Sequence, residues 1–266
     1  MKIRLLSDLH LELYPQTEMP TAISAPGIAR QGYPLSNLKF KKNADVVILA
    51  GDIGNPYQDS YINLLRLLSL THTKVFVITG NHEYYNKRTM SKIDHKIKKL
   101  CLDEDNIHFL QTDSIVYNRV KFIGCTLWSN PSNLSLCKYM NDFNRISTDD
   151  QTFTFDKYVS NHLAHKSWLE TELDIAKDDS YDKVCVITHH LPSYALLDVE
   201  YIDHPLNSFF ATDINTTKAN VWCYGHTHKA NHTKINNTEF HCNPRGYAHE
   251  TSGWDIDYVF KIENLQ

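Results

Sequence analysis

Val75-Phe76-Val77-Ile78-Thr79-Gly80-Asn81-His82-Glu83 runs from four consecutive apolar residues, through Thr79 and a glycine, into three side chains that can bind a cation or move a proton. A short apolar run that stops at Gly or Asn reads as a buried strand. The same arrangement recurs elsewhere in the chain. Ile3 to Leu6 leads into Ser7-Asp8-Leu9-His10, and Val46 to Ala50 into Gly51-Asp52. Val184 to Ile187 leads into Thr188-His189-His190, and Val221 to Tyr224 into Gly225-His226-Thr227-His228. Any one of these taken alone is ordinary solvated loop polarity. Five of them at the ends of buried strands put metal-competent donors where open α/β sheets carry their active sites.

At 266 residues and 42% hydrophobic composition the chain can bury one large core, and one domain over residues 1–266 is expected. No run reaches the roughly 18 to 20 apolar residues of a membrane span. The start Met1-Lys2-Ile3-Arg4 passes directly into a donor-bearing strand, so a signal peptide would consume Asp8 and His10. Six cysteines lack Cys-x-x-Cys spacing, and Cys125, Cys185 and Cys223 sit in apolar runs, which reads as buried reduced thiols of a cytoplasmic protein rather than a zinc-cysteine site. With 31 Asp plus Glu against 27 Lys plus Arg, the chain lacks the cationic excess of sequence-independent nucleic-acid binding, while a nucleotide-sized ligand stays open.

Between the first two donor stretches, residues 14–43 are rich in Pro, Ser, Ala and Gly and read as an irregular insertion. Tyr61 to Leu68 and Ile93 to Leu102 have helical spacing, the second with Lys92, Lys96, Lys98 and Lys99 on its solvent side, and Asn161 to Leu173 is a third helix. Ile107 to Leu110, Ile115 to Tyr117 and Val120 to Gly124 read as strands of a second sheet, the last two joined at Asn118-Arg119. Thr233 to Ile235, Glu239 to Cys242 and Ile256 to Ile262 read as closing strands.

In order and identity the five donor stretches resemble the motifs of the calcineurin-like metallophosphoesterase superfamily, which run Asp-x-His, Gly-Asp, Gly-Asn-His-Asp/Glu, His and Gly-His-x-His. Gly124-Cys125-Thr126-Leu127-Trp128, Met140-Asn141-Asp142-Phe143 and Asn243-Pro244-Arg245-Gly246-Tyr247 extend the likeness to a bacterial-type branch. The resemblance implies a four-layer α/β/β/α sandwich and two divalent ions, of manganese, iron, zinc or cobalt, because mixed imidazole, carboxylate and amide donors suit these better than calcium. It implies that Asp52 bridges the ions, that Asp8, His10 and His228 complete one, and that Asn81, His226 and one of His189 and His190 complete the other. His189, directly after Thr188, is the first choice, and His190, which opens His190-Leu191-Pro192, is its rival. His82 would protonate the leaving alkoxide or bind a phosphate oxygen.

Arg245 offers a planar fork to a substrate phosphate, against the alternative of a salt bridge pinning the closing turn. Trp128, Asn141, Asp142 and Arg145 are pocket candidates, with core packing the default for Trp128 and Phe143. The activity implied is hydrolysis of a small phosphorylated substrate, nucleotides included, by attack of a metal-bridging hydroxide. Its rivals are a non-catalytic scaffold on the same fold and a nuclease or phosphodiesterase acting on nucleic acid.

Overall fold

The computed structural model describes residues 1–14, 40–149, 152–175 and 180–263, so most of the insertion expected at 14–43 lies outside the described residues. Strands β1 (Lys2–Leu6), β2 (Val46–Ala50), β3 (Lys74–Ile78) and β4 (Ile107–Phe109) pair in parallel. They form the first sheet, whose edge beyond β1 is the antiparallel β11 (Val259–Lys261). The second sheet runs β5 (Asp113–Tyr117), β6 (Val120–Cys125), β7 (Lys183–Thr188), β8 (Val221–Tyr224), β10 (Thr238–Cys242) and β9 (Asn231–Ile235), antiparallel only at its two ends. The short strand β4 therefore belongs to the first sheet, not the second. At the β5–β6 turn both Asn118 and Arg119 take positive φ, 48° and 60°, the twist a tight hairpin requires.

Side-chain alternation explains why these strands read as unbroken apolar runs. In β2, Val46, Ile48 and Ala50 point between the sheets to meet Phe122, Cys185 and Ile187, while Val47 and Leu49 face the helices. The Phe76 and Phe122 rings lie 4.4 Å apart across that inner layer, where truncating either to alanine would cost about 3–5 kcal/mol.

Helix α1 (Asp59–Thr71) buries Tyr61, Leu64, Leu65 and Leu68, and α2 (Met90–Leu102) buries Ile93, Ile97 and Cys101, each a stripe at helical spacing laid on the first sheet. A third helix, α3 (Asp142–Arg145), is a single turn. Helix α4 (Phe155–Asp174) starts six residues before the expected Asn161, because Thr154 caps it by accepting a hydrogen bond from the Lys157 N–H. Its Leu169 packs against the outer face of the second sheet. Helices, sheet, sheet and helix thus make the four-layer α/β/β/α sandwich. The last strand is shorter than Ile256 to Ile262, covering only Val259–Lys261.

Candidate functional site

All five donor stretches lie just beyond the C-terminal ends of parallel strands, and the two sheets bring them together. Asp8, His10 and His228 form one group whose ligand atoms lie within 4.8 Å of one another; Asp52, His189 and His226 form a second, and Asp52 joins His10 and His82 in a third. Asp52 Oδ2 stands 3.4 Å from His189 Nε2 and 4.0 Å from His10 Nε2. His228 Nε2 is 3.0 Å from His10 Nε2 and 3.5 Å from Asp8 Oδ1.

The backbone is bent to achieve this. Asp8, His10, Asp52, His226 and His228 all take left-handed conformations, with φ of 50°, 47°, 54°, 70° and 51°. The strand-end glycines serve close approach: a Cβ on Gly80 would stand 2.1 Å from Asp52 Oδ1, and one on Gly225 2.7 Å from Asp8 Oδ2.

Most of the donors are aimed by a partner behind them. The two carboxylates are held by backbone, Asp52 Oδ1 accepting from the His82 N–H at 2.8 Å and Asp8 from the His226 N–H at 3.0 Å. His189 Nδ1 lies 2.9 Å from the Ala50 carbonyl, so its Nε2 faces Asp52 and the Asn81 Oδ1, 3.2 Å away. Its neighbour His190 turns the other way, between the Thr126 carbonyl, the Tyr158 hydroxyl and the Trp128 ring. Of the two histidines, only His189 places a ring nitrogen in a donor group; the His190 ring packs against His226, with centroids 4.2 Å apart. Asn81 donates through Nδ2 to Tyr85, whose hydroxyl donates to Asp142, and this relay directs the amide oxygen inward.

Sequence reasoning missed two carboxylates. Glu12 Oε1 lies 2.9 Å from His82 Nδ1 and 3.3 Å from His10 Nδ1. Glu250 Oε2 lies 2.7 Å from His228 Nδ1 and accepts the Tyr247 N–H at 2.7 Å. Both put a carboxylate behind an imidazole, the arrangement that fixes ring orientation and basicity at metal sites. The only signal in the sequence was proximity, Glu12 sitting two residues past His10.

Glu83 plays no part in orienting His82. It is fully buried and accepts four backbone N–H bonds, from Asp52, Ile53, Gly54 and Gly80, at 2.7 to 3.3 Å. Burial, with the Asp52 charge added, pushes its carboxyl up to about 7. Burial would lower His82, yet the Asp52 charge and the Glu12 hydrogen bond raise it to about 9. Burial likewise opposes the His189 imidazolium, but Asp52 outweighs it and the ring rises to about 10. This is the concentrated negative field a cation would occupy.

Divalent ions fit these residues. His226 Nε2 is buried with no hydrogen-bond partner among the described residues, and imidazole nitrogens and carboxylate oxygens converge with little else to bind them. The donors open on a cavity of about 330 Å³ lined by Asn141, Leu197, Leu206, Phe210, Tyr139 and Tyr201 among others, with no Lys or Arg in its wall among the described residues. Arg245 lies outside that wall. Its guanidinium donates to the Leu9 carbonyl at 3.2 Å and sits over the rings of Tyr14 and Trp254. Its backbone runs beside β1, the Arg245 N–H donating to Ser7. Trp128 is buried in the core, and Arg145 stacks over Tyr85.

Among relatives, an uncharacterized protein of Acanthamoeba polyphaga mimivirus is 28% identical over 293 residues, covering 99% of each chain. The fold is similar to the crystal structure of the phosphopantetheinyl hydrolase PptH from Mycobacterium tuberculosis, with a TM-score of 0.64 at 18% identity, covering 94% of this chain and 93% of that one. It is also similar to the TT1561 protein of Thermus thermophilus, with a TM-score of 0.52 at 11% identity, covering 91% and 88%. The profile of the calcineurin-like phosphoesterases matches residues 1–230, which contain all five donor stretches. With its strand-end donors clustered at the mouth of one cavity, the chain belongs to the calcineurin-like phosphoesterase family, and is a metal-dependent phosphoric ester hydrolase.

Proposed function

We propose that the protein hydrolyses a small phosphate ester whose organic part is apolar or aromatic, using a dinuclear site in which Asp52 is shared. The observation that carries this reading is the junction of Asp52, common to two donor groups, with a cavity of about 330 Å³. Asp8, His10 and His228 would hold one ion, and Asn81, His189 and His226 the other. When bound, two divalent ions neutralise phosphoryl oxygens and acidify the attacking water.

The chain's own residues do the rest. His82 presents Nε2 toward the cavity beside the Tyr247 hydroxyl, 3.3 Å away, while its Nδ1 lies 2.9 Å from Glu12 Oε1. As the ester P–O bond breaks, the electron pair stays on the leaving oxygen, and the His82 proton moves to it. Glu12 stabilises the imidazolium before transfer and holds the ring's orientation throughout. Leu197, Leu206, Phe210 and Tyr201 exclude water and receive the organic group.

The absence of Lys and Arg from the described lining disfavours a polynucleotide or polyphosphate, which would need several cationic contacts. A scaffold-only role is disfavoured by a different feature: the His82 ring, held by Glu12 and set beside the Tyr247 hydroxyl, which binding alone does not require.

Metal-stripped protein reloaded with manganese should hydrolyse an aryl phosphomonoester or phosphodiester. Asp52→Asn should abolish turnover and weaken manganese binding, whereas His82→Ala should lose turnover with manganese still bound. Equal turnover by His82→Ala on substrates with poor leaving groups would refute the acid role. No turnover of either ester by metal-loaded wild type would move the reading toward the scaffold.

A further inference from the structure

Away from the strand-end site, the β9–β10 hairpin at the outer edge of the second sheet carries another group of donors. In its register His241 faces His232 and Glu239 faces Lys234. These side chains therefore share one face of the hairpin. His241 is 1% exposed, and its ring is stacked on Phe260, with centroids 3.9 Å apart and planes 12° off parallel. Its Nδ1 lies 2.7 Å from the Tyr258 hydroxyl. The other nitrogen, Nε2, has no hydrogen-bond partner among the described residues, and the nearest carboxylate oxygen, Glu239 Oε2, is 4.0 Å away.

A buried polar atom left unpaired costs about 1–3 kcal/mol, and here it borders two further donors. The His232 ring stacks on His241 at 4.4 Å, and one ligand atom from each of His232, Glu239 and His241 lies within 4.8 Å of the others. One side of the group is fixed, because Phe260 belongs to β11 of the first sheet and Tyr258 immediately precedes that strand. The other side is open: His232 is exposed, and the Glu239 side chain is 44% exposed.

We propose that His232, Glu239 and His241 bind one further divalent ion of zinc or copper type, separate from the strand-end pair, which braces the hairpin against the β11 edge. Two imidazoles and one carboxylate are donors such ions take, and harder ions such as calcium prefer oxygen alone. Bonds of roughly 2.0–2.2 Å put neighbouring tetrahedral donors about 3.4 Å apart. Closing from the present spacing to that distance needs rotation of the exposed His232 and Glu239 side chains, while His241 stays stacked. Water fills the fourth position on the solvent side.

The test counts zinc after equilibration and desalting, by atomic emission, in wild type, His232→Ala and Glu239→Gln. Both substitutions fall on exposed side chains and leave the strand-end donors untouched. Wild type should retain one equivalent more than either variant. In copper-loaded protein, electron paramagnetic resonance should show coupling to two imidazole nitrogens at a site that His232→Ala loses. Equal zinc in all three proteins, or loss in only one variant, would overturn the three-residue site, as would copper spectra unaltered by His232→Ala.

Discussion

Glu83→Gln tests how the strand ends are locked together. In the native protein both carboxylate oxygens are used, Oε1 by the Ile53 and Gly54 N–H groups and Oε2 by those of Asp52 and Gly80. A glutamine keeps one acceptor oxygen and sets an NH2 group against the other pair of donors. Two buried N–H groups are then unpaired, at about 1–3 kcal/mol each, or about 4 kcal/mol together. For a chain of this size that is a fall in melting temperature of roughly 8–16 °C.

The damage is also local: where the amide replaces Oε2, the orphaned groups are the Asp52 and Gly80 N–H groups, and with them goes the placement of the Asp52 carboxylate. Differential scanning calorimetry with and without manganese should show both the lower transition and a smaller manganese-induced rise. A variant melting within about 2 °C of wild type, with an unchanged manganese response, would refute the locking role.

Glu12→Gln should lower turnover roughly 10- to 100-fold and also weaken manganese binding, because Glu12 backs His10 as well as His82. It should also move the alkaline limb of the rate profile, which the His82 imidazolium sets, toward lower pH, because the Glu12 anion supporting the imidazolium is gone. Tyr85→Phe breaks the relay from Asp142 to Asn81 and should weaken manganese binding by about tenfold, measured by titration calorimetry. His165 accepts the Leu127 N–H, and burial pushes its imidazole down to about 4 from an ordinary 6.5. Between those values the unfolded chain binds a proton that the folded chain refuses, so stability present above pH 6.5 is lost as pH falls toward 4, by at most about 3 kcal/mol. Urea unfolding of His165→Gln should show a flatter dependence over that interval.

Legibility in the sequence followed burial. Strands β1, β2, β3, β7 and β8 are buried on both faces, so each announces itself as an apolar run ending at its donors. By contrast β4 has three residues, only one of them buried, and nothing in Ile107-His108-Phe109 says which sheet it joins. The start of α4 hid because Phe155-Asp156-Lys157 lacks an apolar stripe, and its cap is a single threonine.

The donors were readable as motif residues, whereas their supports were not. Glu12 and Glu250 reach their histidines through loop geometry that no local spacing encodes. The ambiguity between His189 and His190 had the same origin. β7 ends at Thr188, so strand alternation does not govern either ring, and contacts with Ala50 on one side and Tyr158 on the other do.

The left-handed backbone at Asp8, His10, Asp52, His226 and His228 carries a consequence for anyone improving this protein. At such angles an L side chain is disfavoured by up to about 1–2 kcal/mol relative to glycine, somewhat less for aspartate. A screen that rewards heat resistance alone would therefore find its gains at these positions, accumulating glycines while discarding the chemistry. Thermal selection and catalytic selection pull the same codons in opposite directions, so a stabilised library is worth sorting only under conditions where hydrolysis, too, decides survival.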